Sequence, residues 1–134
     1  MSIPDPIGEI VDLLLDDSNV AELADENVFG GGLPATARAS MPQAAVVVKP
    51  AGGPGKRGYN RHRTTRVDTV CYGSTLKESW DVHLAVREVL EGLRRDGSIF
   101  WVIVSSDGTN AIDPVEQWPT CFASYNVMSA DEAD

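Results

Sequence analysis

Apolar residues near the start of the chain recur at helical spacing. Ile7, Ile10, Val11 and Leu14 fall on one side and Glu9, Asp12 and Asp16 on the other, which predicts a helix from Asp5 to Leu15. Asp5 suits the N-cap and Pro6 the first helical position, where a missing N–H costs nothing. Asp16-Asp-Ser-Asn19 ends this helix, Val20–Leu23 adds a short turn, and Val28-Phe29 makes a brief strand. Gly30 to Pro42 is a loop on composition. The pattern then turns to β-prone runs: Gln43–Lys49 and Arg61–Tyr72 are rich in Val, Thr and Tyr and flank the breaker-rich stretch Pro50–Asn60. They form a β-hairpin whose tip exceeds the usual loop of about 2–5 residues.

A second helix is expected over Leu76–Leu93. Val82, Val86, Val89, Leu90 and Leu93 form its apolar stripe, extended by Leu76 and Trp80, while Lys77, Asp81, Arg87, Glu88 and Glu91 face water. Thr75 with Glu78 three residues on is a capping-box pattern. Arg94 and Arg95 suit the C-terminal dipole, with Gly97 as the stop. Ile99–Ser105 is uniformly apolar and reads as a central strand. Ser106–Asn110 is turn chemistry. Trp118–Val127 is the last strand, with Pro119 tolerated at its start or at an edge. The class that follows is α+β: a small antiparallel or mixed sheet, two main helices on one face, and a long basic β-hairpin arm. Residues 1–128 make a single domain and 129–134 a mobile acidic tail.

Charge sharpens this layout. The net charge of -9 conceals an uneven distribution. Residues 1–48 hold eight acids against one base, and residues 67–134 twelve acids against four bases. From Lys49 to Arg66 there are six Lys/Arg and no acid. An acidic body repels nucleic acid, so binding over the whole surface is excluded and only the arm offers phosphate contact. The N-terminus lacks a basic region followed by an apolar run, and no stretch approaches the roughly 20 apolar residues of a membrane span. Cys71 and Cys121 are too few for a disulfide framework and read as half-buried thiols on strands.

Catalytic and cofactor motifs fail on inspection. Gly53-Pro-Gly-Lys56 lacks the leading Gly of a phosphate loop, where Pro50 stands, and the trailing Ser or Thr, where Arg57 stands. The three glycines at 30–32 are followed by no expected helix, so they form no phosphate cradle. His62 and His83 have no carboxylates at metal-site spacing and read as structural or solvent-facing. Asp107, Asn110 and Asp113 lack the closing Glu of a calcium loop. No nucleophile elbow appears. Neither an enzyme nor a cofactor is expected.

The arm carries the functional expectation, through Lys49, Lys56, Arg57, Tyr59, Arg61, Arg63 and Arg66. A solvated loop, docking onto the acidic body of a neighbour, and phosphate contact with Tyr59 stacking on a base are the three readings open to it. Its eleven-residue tip, Pro50–Asn60, projects about 15–18 Å when extended, enough to cross to another subunit.

The order of elements resembles the tail terminator (tail-completion) proteins of long-tailed bacteriophages and related neck proteins. The resemblance covers Ile3 to Val127. It lies in Leu14-Leu-Asp-Asp-Ser-Asn-Val-Ala-Glu-Leu23, Asn27-Val-Phe29, and the proline-flanked Met41-Pro-Gln43 leading into Val46-Val-Val48. It continues in Arg66-Val-Asp-Thr-Val-Cys-Tyr-Gly73, Trp80-Asp-Val-His-Leu-Ala-Val-Arg-Glu-Val-Leu90 and Phe122-Ala-Ser-Tyr-Asn-Val127. The basic tip at Gly52–Asn60 and the acidic tail are not carried over from that pattern. The resemblance implies a virion protein without a catalytic site. It would form a homo-hexameric ring on the head-proximal end of the tail tube, assembled in the host cytoplasm. Its partners would be itself, the major tail tube protein and a head-side connector, with duplex DNA passing non-specifically through the lumen and no membrane contact. A head–tail connector or head-closure protein is the neighbouring alternative, and a DNA-binding module using the arm the alternative of another class.

Overall fold

The computed structural model describes residues 6–51, 62–91, 93–96, 99–112, 114 and 116–130; for Pro6, His62, Arg63, residues 94–96, Phe100 and Ala130 the backbone alone is described. Two helices open the chain, α1 (Pro6–Asp16) and α2 (Ser18–Ala24). The acidic run that ends α1 also starts α2, because the Val20 amide donates to Asp17 Oδ2 at 3.0 Å and so caps the new helix. Strand β1 (Val28–Gly30) follows. Gly31, at φ 90°, turns the chain in the left-handed region towards a four-residue helix, α3 (Ala35–Arg38), within the stretch expected to be loop throughout.

Strands β2 (Ala45–Pro50) and β3 (His62–Tyr72) are the two arms of the expected hairpin and pair antiparallel from Ala45↔Tyr72 to Pro50↔Val67. Helix α4 (Leu76–Leu90) comes next. Its N-terminus bears the capping box: the Glu78 amide donates to Thr75 Oγ1 at 3.1 Å, and Glu78 Oε1 accepts from the Ser74 amide at 2.9 Å. The helix stops at Leu90, not Leu93, because Glu91 is already extended and Leu93 O accepts from Val102 N. Arg94 and Arg95 therefore belong to a strand, β4 (Arg94–Asp96), not to a helix terminus.

The expected turn at Ser106–Asn110 is instead part of β5 (Ile99–Ile112), which runs on through two bulged registers, between Val104 and Ser106 and between Ser106 and Thr109. A bulge uses the same Asp, Gly and Asn residues as a turn but keeps the ladder. Strand β6 (Pro119–Ala130) starts at Pro119, as proline requires, and reaches into the expected tail, where Ser129 is buried.

The six strands lie in the order β1-β2-β3-β6-β5-β4, parallel only between β1 and β2. The fold is thus α+β with a mixed sheet. The centre belongs to β3 and β6, not to β5. Uniform apolarity misleads for β5 because only one of its faces is covered: Val102 is buried, whereas Trp101 and Ile103 are 40% and 45% exposed.

Helices α1, α2 and α4 pack on the opposite face, where Ile10, Leu14, Val20, Val82, Val86 and Leu90 meet Val46, Val48, Val67, Val102, Tyr125 and Val127. Each such side chain contributes about 1.5–3 kcal/mol on burial. Cys71 and Cys121 lie side by side in register on that face, fully buried rather than half-buried. His83 is likewise fully buried, with its Nε2 3.3 Å from Asp107 Oδ1 across the β5 bulge. Arg87 Nη1 donates to Asp107 Oδ2 at 2.7 Å and its Nε to Glu91 at 3.0 Å, so one carboxylate on the bulge ties two turns of α4 to the sheet.

Candidate assembly surface

The face of the sheet turned away from the three packed helices has no comparable helix layer among the described residues, although Val47, Val70 and Ser124 on it are buried. Strand alternation assigns its residues: Val47 and Lys49 from β2, Arg66, Asp68, Val70 and Tyr72 from β3, Phe122, Ser124, Asn126 and Met128 from β6, and Trp101 and Ile103 from β5. One end is closed. Arg38 of α3 lies 5.3 Å above the Trp118 ring and ion-pairs with Glu116 at 2.7 Å, and Trp118 meets Tyr72 edge-on at 6.0 Å. The other end is open, and there Trp101 and Ile103 expose 40% and 45% of their surface; Phe122, two residues along β6 from the partner of Tyr72, exposes 43% nearer the closed end. Exposed aromatic and branched side chains gathered on one face mark a protein-contact surface more often than isolated ones do.

A polar row crosses the middle of this face. Ser124 Oγ donates to Asp68 Oδ1 at 2.6 Å and accepts from Arg66 Nη2 at 3.2 Å, while Arg66 Nε stands 3.6 Å from Asp68. Lys49 is the register partner of Asp68 on the next strand. The exposed half of the Arg66 guanidinium and the Lys49 side chain thus place positive charge where β2 and β3 continue into residues 51–61.

Of the arm residues, Lys49 and Arg66 sit on this outer face, and Arg63 is a β3 backbone position paired with Ser129. Lys56, Arg57, Tyr59 and Arg61 lie outside the described residues. The apolar members Trp101, Ile103 and Phe122 escaped sequence reading. Their signal was present, since Trp101 and Ile103 are two apart, but an apolar residue between them on each side hid the alternation.

The free edges of the sheet are poor docking strands. β1 and β4 have three residues each, and the part of β5 beyond Val102, which has no described strand partner on its outer side, is kinked by the two bulges between Val104 and Thr109. Short edges and bulges are the usual devices against edge-to-edge pairing. The face, rather than an edge, is therefore the surface available for contact. Among the described residues no three His, Cys, Asp or Glu side chains converge as a metal site. Burial pushes the Cys121 thiol up to about 11 and Cys71 higher still, so neither is a nucleophile at neutral pH.

No family model matches this chain, and no curated protein does. Among solved structures, a chain from the virion of a native gene transfer agent (GTA) particle superposes with a TM-score of 0.70, covering 93% of this chain and 94% of that one. The sequences are 10% identical, so the likeness is one of fold.

Proposed function

We propose that this chain is a structural virion protein of a phage or phage-like particle, and within that class a tail terminator. It would form a ring on the head-proximal end of the tail tube, stop tube growth and offer the surface for head attachment. The observation that carries the reading is the end-to-end match in fold to a component of a GTA virion, with almost all of both chains aligned. The open sheet face supports it, because a ring needs a large contact surface on every subunit and contacts that close on themselves. Charge supports it as well: an acidic body does not retain a passing DNA duplex, and a basic segment on that body suits docking between copies. The partners in this reading are the chain itself, the tube protein and a head-side connector, at the neck of the particle.

Two measurements test it. Native mass and negative-stain images of the purified protein are expected to show a closed ring, and addition to growing tails is expected to fix their length. Charge reversal in the arm (Lys56→Glu, Arg57→Glu and Arg61→Glu together) is expected to weaken assembly while leaving the circular dichroism spectrum unchanged. Normal tails from that variant would remove the arm from the mechanism. Decoration of isolated capsids in preference to tails would reassign the protein to head closure. Tight, salt-sensitive binding of a solitary monomer to duplex DNA would point to the nucleic-acid reading instead.

A further inference from the structure

The helix layer carries a second unfilled surface. Between α2 and α4 runs an open groove whose floor is Leu23 and Leu84, 41% and 42% exposed, and whose rims bear Glu22, Asp81 and Glu88. Asp81 is engaged by Lys77 at 3.1 Å. Glu22 and Glu88 are exposed and have no ion-pair partner among the described residues. An apolar seam edged by carboxylates fits a segment with the opposite pattern, rich in cations and containing an aromatic ring. The chain encodes such a segment, because residues 49–66 hold six Lys/Arg, no acid, and Tyr59.

We propose that the α2–α4 groove is the docking site for a second copy of this chain, entered by that copy's basic 49–66 segment. The inference rests on the ring reading for the presence of the second copy, and it specifies what that reading leaves open: which surface receives the arm. The donor segment leaves from the sheet and the receptor lies on the helix layer, so the two surfaces differ. Such a contact is heterologous, the kind that closes a ring when its rotation divides a full turn and grows a filament when it does not. Rim charges act mainly on encounter rate and salt dependence, whereas the apolar floor governs residence.

The test uses a fluorescein-labelled peptide of residues 49–66 and the full chain carrying Lys56→Glu, Arg57→Glu and Arg61→Glu, so that its own segment does not compete. Anisotropy at low salt is expected to show binding that weakens at least tenfold when Glu22→Lys and Glu88→Lys are added, and also when Leu84→Ser is added. All three positions are exposed, so unchanged thermal unfolding is the expected control. In a separate arm, the chain bearing both charge-reversed sets is expected to recover the assembly that either set alone weakens. Peptide affinity indifferent to Glu22, Glu88 and Leu84, or failure of the doubly reversed chain to assemble, overturns the groove as receptor. Completion of tails by the unmodified protein reads the terminator role independently. Complete tails with groove-independent peptide binding sink this inference alone, and groove-dependent binding with unterminated tails sinks the functional reading alone.

Discussion

A methyl group added at Gly108 tests how tightly α4 is locked to the sheet. A Cβ at this bulge position would stand 2.5 Å from His83 Nε2, 2.6 Å from His83 Cδ2 and 2.9 Å from Cys121 Sγ. Carbon needs roughly another ångström from each, since optimal contacts lie near 3.5–4.0 Å. The imidazole cannot swing aside freely: it is fully buried, stacked at a tilt on Trp80 with centroids 5.2 Å apart, and held by Asp107. Relief therefore requires moving α4 or breaking the His83–Asp107 contact.

Overpacking of this kind costs about 1–3 kcal/mol. Replacing Gly by Ala returns about 0.4–1 kcal/mol through the unfolded chain. The expected net loss for Gly108→Ala is thus about 1–2 kcal/mol. With an unfolding entropy of about 2.1 cal/mol/K per residue, that lowers Tm by about 4–7 °C. Thermal and urea unfolding followed by circular dichroism measure it. The decisive control is the same substitution in a His83→Ala background, where the two closest contacts are gone and only Cys121 Sγ at 2.9 Å remains, so the loss should shrink by more than half. A Tm within about 1 °C of the parent, or an equal loss in both backgrounds, would refute the packing argument.

Acidification should also act through His83. Burial holds its pKa below the ordinary 6.5, so the unfolded chain binds the proton first and stability falls as pH drops from about 6.5 towards the folded value. A Tm profile between pH 7.5 and 5 should show that decline, and His83→Gln should flatten it. The Cys71 and Cys121 thiols should resist a thiol-reactive dye in the native protein and react together only on unfolding, because both are fully buried. Partial reaction under native conditions would show that β6 opens locally. Tyr125→Phe should leave stability unchanged or raise it by up to about 1 kcal/mol, since the buried hydroxyl makes no close hydrogen bond and its removal relieves a desolvation cost. A clear loss in urea unfolding would mean that Thr69 satisfies it.

Much of this architecture was legible in the residues. The stripes of α1 and α4, the Thr75–Glu78 cap and the β2–β3 pairing follow from local rules, and the local rules hold. The errors share a cause, which is that a residue's environment depends on partners distant in sequence. Ser106–Asn110 reads as a turn until β6 supplies the ladder that absorbs it as a bulge. Arg94 reads as a helix-dipole partner until Trp101 pairs with it. His83 reads as either structural or solvent-facing until the bulge at Asp107 and Gly108 arrives above it and decides for the buried alternative. The basic segment was visible as a charge pattern, but the apolar residues beside its base were not. Whether Trp101 and Phe122 face a core or water depends on how many layers cover the sheet, and a single sequence does not display that number.

Strand β3 joins its neighbour β6 through eleven consecutive register pairs, from His62↔Ala130 to Tyr72↔Thr120, and residues 51–61 link this strand to β2 in the sequence. A pull on that segment is borne along the middle of the sheet. Ladder bonds loaded in shear must fail together, whereas an edge strand peels one bond at a time. The segment is thus anchored in the longest unbroken ladder among the described strands, where a load is shared by many bonds instead of being taken one bond at a time.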